Sequence, residues 1–106
     1  MARDAHLPQS GAELRRLNEL RRGDRGVVAR VGVDDHEAHG VSAEELERRL
    51  LEMGFVEGAR LAVLFEGLIR RDPMAVRVDD LRVALRRREA QAVVVALDDD
   101  SRSRGR

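Results

Sequence analysis

The chain has 106 residues, and its 20 basic and 20 acidic side chains cancel to a formal charge of zero, a size that suits one compact domain. Every basic residue is arginine, and Lys, Cys, Trp and Tyr are absent, which excludes a phosphate loop ending in Gly-Lys, a Schiff-base lysine, disulfides, thiolate metal centres and a thiol nucleophile. Neutral balance and two Phe as the only large aromatics argue against a nucleic-acid partner, which calls for basic excess and stacking platforms.

No apolar run approaches the roughly 20 residues that cross a bilayer, and the Met1 to Gly11 start lacks the apolar centre of a signal peptide. A soluble, cytoplasmic protein is expected. Residues 1–12 read as a flexible N-terminal tail, 13–97 as the domain, and 98–106, Asp-Asp-Asp-Ser-Arg-Ser-Arg-Gly-Arg, as a disordered C-terminal tail.

The domain opens on Leu14, Leu17 and Leu20, whose spacing of three predicts a short helical turn stopped at Arg22-Gly23-Asp24. Val27, Val28 and Val31, bounded by Gly26 and Gly32, predict a buried strand. An acidic, histidine-containing loop follows over Asp34 to Gly40. Ser42 and Glu45 then have capping-box spacing, so a helix starts there and runs to Met53 before Gly54. Leu46, Leu50 and Met53 share one stripe of that helix and Leu51 points off it.

Three runs of period two come next, Ala59 to Glu66, Pro73 to Asp79 and Leu81 to Arg86. Asp79-Asp80 reads as a two-residue hairpin loop, which pairs Val78 with Leu81, Val76 with Val83 and Met74 with Leu85 on one face and sets Arg77 opposite Arg82 on the other. A polar helical turn over Arg87 to Ala90 leads into a last strand, Ala92 to Leu97. Gly23, Gly26, Gly54, Gly58 and Gly67 all read as turn positions. The order predicts a mainly β fold: a small antiparallel barrel with one helix inserted after the first strand and short helical turns.

Four segments in order resemble a known family. Arg49-Leu-Leu-Glu-Met-Gly-Phe-Val-Glu-Gly58 is similar to the "Arg or Lys, Leu, Leu, x, Leu or Met, Gly, apolar, x, x, Gly" signature of FeoA, the small protein A of bacterial ferrous iron uptake. Leu17-Asn-Glu-Leu20-Arg-Arg-Gly23, Asp72-Pro73-Met74 and Leu85-Arg86-Arg87-Arg88-Glu89-Ala90 resemble its Leu-x-x-Leu-x-x-Gly opening, its Asp-Pro-apolar strand start and its Leu-Arg-Lys-x-Glu-Ala segment. Membership implies an SH3-like barrel and a non-enzymatic accessory role beside FeoB, a membrane transporter with a cytoplasmic GTPase domain. The chain would then meet the membrane only through that partner. The same barrel forms the C-terminal domain of iron-responsive repressors, and no DNA-binding domain precedes it here. Two segments depart from the pattern: Glu66-Gly67-Leu68-Ile69-Arg70-Arg71 lacks the Ala-Pro-Leu-Gly of many members, and the loop Asp34 to Val41 is longer and carries histidines.

Three groups of residues are candidates for function. Leu51, Phe55 and Val56, joined by Leu68 or Ile69, are the apolar centre of a partner surface if they lie together, and Arg77, Arg82, Arg86 and Arg87 its cationic part, facing an acidic protein surface or anionic headgroups. The bland alternative is core packing for the first set and a solvated face, screened by Asp79 and Asp80, for the second. Asp35, His36 and His39 offer the ligand types of Fe(II), Mn(II) or Zn(II), so a metal sensor or carrier is the second reading, although no cofactor is required. No nucleophile, base and orienting group fall together, which argues against an enzyme. A free edge strand can also pair with a second copy, which leaves self-association open.

Overall fold

A computed structural model describes residues 13–32 and 42–99. Six strands form one antiparallel sheet in the order β1-β6-β2-β3-β4-β5, with β1 at Leu14–Arg16, β2 at Arg25–Val31, β3 at Arg60–Ile69, β4 at Asp72–Val78, β5 at Leu81–Leu85 and β6 at Val93–Leu97. Helix α1 spans Ala43–Glu52 between β2 and β3, and the single turn α2 spans Arg87–Ala90 before β6. The antiparallel sheet with its inserted helix is the SH3-like arrangement, but its ladder is not closed, since β1 and β5 each have one strand partner.

Alternation builds the core. Leu61 and Val63 of β3, Met74, Val76 and Val78 of β4 and Leu85 of β5 point inward with Val28, and Leu46 and Leu50 of α1 close over them. The β4–β5 hairpin has the predicted register throughout, Val78 opposite Leu81, Val76 opposite Val83 and Met74 opposite Leu85. Strand β6 runs between β1 and β2 and is buried from Val93 to Ala96, which its unbroken apolar run requires. Ser42 Oγ accepts the Glu45 N–H at 3.0 Å and starts α1 as expected. No helix among the described residues is long and apolar enough to cross a membrane.

Two local expectations are corrected. Leu14, read as the first position of a helical turn, lies in β1, and only Leu17–Glu19 are helical, as a 3-10 turn. Pairing of Leu14 with Ala96 and Arg16 with Val94 takes this segment into the sheet, a tertiary contact that overrides the spacing of three. Gly26 and Gly67 are strand residues and not turn residues. A Cβ at Gly67 would collide with the Asp72 carbonyl, and one at Gly26 would meet the Ala96 carbonyl, so each glycine allows a close approach of backbones.

One polar cluster joins the ends of these elements. Arg87, at the start of α2, donates from Nη1 to the Asn18 carbonyl at 2.5 Å and the Leu20 carbonyl at 3.3 Å, and from Nε to the Arg71 carbonyl at 2.6 Å. Its Nη2 meets Glu66 Oε1 at 3.0 Å, and both side chains are only 16% exposed. The other Glu66 oxygen accepts the Arg22 N–H at 2.8 Å, while Asp72 Oδ1 accepts the Arg87 N–H at 2.8 Å. Removing the guanidinium takes the nearest cation from a largely buried carboxylate and the donors from three carbonyls. Arg87→Ala should therefore lower the unfolding free energy by about 2–4 kcal/mol, read as a shifted denaturant midpoint with an unchanged slope, whereas the exposed Arg88→Ala should leave it within about 0.5 kcal/mol.

Candidate functional site

The outer face of the sheet carries a row of cations fixed by strand register. Arg25, Ala62, Arg77 and Arg82 are successive cross-strand partners on β2, β3, β4 and β5. Cross-strand partners share a face, so three guanidinium groups lie on one side with a small alanine between two of them. Arg77 and Arg82 are exposed and have no ion pair among the described residues. Arg60, by contrast, is held by Asp98 at 2.8 Å. Arg25, Arg60, Ala62, Arg77, Asp79 and Asp80 line an open groove of about 380 Å³. Asp79 Oδ1 accepts the Arg60 N–H at 3.1 Å, so this carboxylate is also tied to the backbone beside the turn.

The second candidate region is the end of α1. The helix stops in a Schellman motif, with the Gly54 N–H on the Leu51 carbonyl at 3.0 Å and the Phe55 N–H on the Leu50 carbonyl at 3.1 Å. Gly54 has φ +106°, a conformation that glycine adopts without strain. This motif packs the residue after the glycine against the last helical turn. Phe55, expected on a partner surface, is accordingly 0% exposed and belongs to the core. Leu51 and Val56 do reach the surface, at 43% and 44% exposure. A third member is Leu81, whose Cδ1 lies 3.8 Å from the place of a Cβ on Gly54 and which is 54% exposed. Its alternation with Val83 and Leu85 points to an inward residue; its position at the very start of β5, over a glycine, explains its exposure.

The remaining expected residues divide. Arg86 is exposed, its guanidinium 4.0 Å from Asp72. Arg87 is not a surface contact at all, because its donors are taken by the clamp described above. Leu68 and Ile69 sit on the β3–β4 hairpin, a different element from the helix end. Asp35, His36 and His39 lie outside the described residues, as does His6, and no group of three or more metal-ligating side chains occurs among the described ones. The arrangement the described residues supply suits binding: a small apolar centre at Leu51, Val56 and Leu81, with a cationic row on the far face of β5.

Together the six-stranded antiparallel sheet and inserted helix define an SH3-like domain. The FeoA domain family matches residues 15–97, and the chain belongs to that family. It is 40% identical over 82 residues to the Fe(2+) transport protein A/Fe(2+) transporter FeoB fusion protein of Porphyromonas gingivalis, a match that covers 77% of this chain and spans 8% of the fusion protein. Among solved structures, the zinc complex of Stenotrophomonas maltophilia FeoA, described as a prokaryotic SH3 domain protein, is 34% identical with a TM-score of 0.59, covering 80% of this chain and 91% of that one. The FeoA protein of Chlorobium tepidum is 32% identical with a TM-score of 0.62, covering 79% and 71%.

The exposed arginines oppose each other directly, which lowers stability. Arg82→Thr, which also suits a strand, should raise Tm by about 1–4 °C in thermal unfolding at low salt, and the gain should shrink as salt screens the pair.

Proposed function

We infer that this chain is a non-enzymatic accessory protein of ferrous iron uptake that docks on the cytoplasmic, GTPase-bearing part of a FeoB-type transporter. The observation that carries this reading is the fusion relative, in which protein A and FeoB are one polypeptide. Covalent linkage keeps the two parts of that relative at high effective concentration, and a surface on the domain itself would make the meeting specific. Such a surface is available at β5. Leu81 joins Leu51 and Val56 on the side of the helix end, and Arg82 joins Arg77 on the outer face. Apolar contact supplies affinity and the unpaired arginines steer an acidic partner into place.

Calorimetric titration of the chain into the isolated GTPase domain of the transporter from the same source should give saturable binding that weakens with salt. Leu51→Asp should weaken it by about tenfold or more, and Arg82→Glu should lower both the affinity and the salt dependence. Absence of saturable heat with the wild-type chain overturns the reading.

Divalent metal uptake by Asp35, His36 and His39 is a second reading, supported by the zinc complex of the Stenotrophomonas maltophilia relative. Under it, a His36→Ala, His39→Ala variant loses the stoichiometric Zn(II) or anaerobic Fe(II) binding of the wild type; equal titrations of the two proteins reject it.

A further inference from the structure

The β3–β4 hairpin outruns its neighbours. Strand β2 pairs with β3 only from Arg60 to Ala62, and β5 pairs with β4 only as far as Met74. Beyond Val63 of β3, which exchanges backbone hydrogen bonds with Gly23 and Asp24, and Met74 of β4, the two strands have no strand partner but each other, with Glu66 opposite Met74 and Ile69 opposite Asp72. The tip is the two-residue turn Arg70-Arg71, both residues at positive φ, 56° and 59°, the mirror-image geometry that joins twisted strands.

What this arm displays is unusual for a chain with so little large apolar surface to spare. Leu68 is 100% exposed, Ile69 77% and Phe65 62%, the three most exposed large hydrophobic residues described. Arginines surround them. Arg70 has no ion pair among the described residues, Arg71 is half-exposed at 3.6 Å from Glu66, and Arg86 is 64% exposed beside Asp72. Hydrogen bonds from the Arg22 and Arg87 backbone to Glu66 and Asp72 bring Arg22 and the α2 turn, with exposed Arg88, to the same end. The carboxylates there are drawn inward, Glu66 to 16% exposure and Asp72 to 31%, so the charge turned outward is positive.

We propose that this arm is a lipid-contacting finger that inserts Leu68 and Ile69 into the headgroup boundary of an anionic bilayer, with Arg70, Arg71, Arg86 and Arg88 as its cationic collar. Contact with the membrane is then direct and does not depend on a protein partner. A convex two-residue tip has too little area for a specific protein interface, which takes about 800 Å² from each side, but shallow insertion needs only an apolar point and a basic ring. Each element alone gives marginal, reversible binding, and the two together give selectivity for anionic lipid. The Arg87 clamp grips the Arg71 carbonyl and Glu66, so the arm is held in place before it meets the surface. The finger lies in the segment whose sequence departs from the family pattern, and the proposal stands independently of the transporter reading because vesicles contain no protein.

The test uses the full chain and sedimentation with phosphatidylcholine vesicles, with and without about a third phosphatidylglycerol. Binding should be at least tenfold stronger to the anionic vesicles and should fall at least tenfold in the Leu68→Ser, Ile69→Ser variant, whose Tm should be unchanged because both side chains are exposed. The chain has no Trp or Tyr, so Leu68→Trp is a single-site reporter: its emission should shift to the blue and be quenched by brominated lipid. Equal sedimentation with both vesicles, full binding by the double variant, or unchanged emission on vesicle addition would each overturn the proposal.

Discussion

A single guanidinium group ties together parts of the chain that lie far apart in sequence. Arg87 reaches the 3-10 turn through Asn18 and Leu20, the β3–β4 turn through Arg71, and the β3 strand through Glu66. Neither α2, with four residues, nor the 3-10 turn, with three, can persist alone, since helix nucleation costs more than so few hydrogen bonds return. Their ends nevertheless pack: Leu17, Leu20 and Ala90 are buried. The carbonyls that such short turns leave open would be costly against this core, and the planar fork of arginine satisfies two of them, Asn18 and Leu20, and the Arg71 carbonyl of the β3–β4 turn, while its charge meets a carboxylate at the same depth.

The residues that carry the family likeness now have physical roles, and most are structural. Asp72 of the Asp-Pro segment accepts the first N–H of α2, and Glu89 of the Leu-Arg-Arg-Arg-Glu-Ala segment accepts the Arg86 N–H at 2.9 Å. Arg87 stands where the family pattern has lysine. An ammonium offers three donors and no fixed plane, so it could not span this set of partners in one geometry. Leu50, Gly54 and Phe55 form the helix stop that seals one end of the core. The signature therefore describes how this fold is held together more than what it touches.

Sequence reading succeeded where the causes are local. The β4–β5 register follows from alternation and a two-residue turn, and the helix stripe and its Ser42 cap follow from spacing along one element. It failed where the cause is distant or stereochemical. Periodicity ends with the helix and leaves Phe55 open between core and partner surface, and the positive φ of Gly54 turns it back into the core; the Leu50, Gly54, Phe55 spacing of a Schellman motif is the signal available in the sequence. Arg87 reads like its neighbours Arg86 and Arg88, and nothing short of the fold shows that Glu66, 21 positions away, lies within 3.0 Å. The row from Arg25 to Arg82 was half legible: one hairpin gives Arg77 and Arg82, but Arg25 joins only through the β2–β3 pairing, which spans the α1 insertion.

The cost of the exposed features explains why the clamp matters. The core is made mostly of Val, Leu and Ala, with Met74 and with Phe55 as its only aromatic, and domains this small are stable by narrow margins. Against that margin stand two arginines set face to face and an arm that leaves Leu68 and Ile69 in water. Each feature works against stability in the isolated chain, and each becomes favourable when an anion or an apolar surface covers it. Arg87 offsets them by fixing the base of the arm and the turns beneath it. Arginines of identical chemistry thus divide by depth: the one with its donors filled holds the turns and the arm to the sheet, and the ones left open to solvent are those a partner or a membrane can engage.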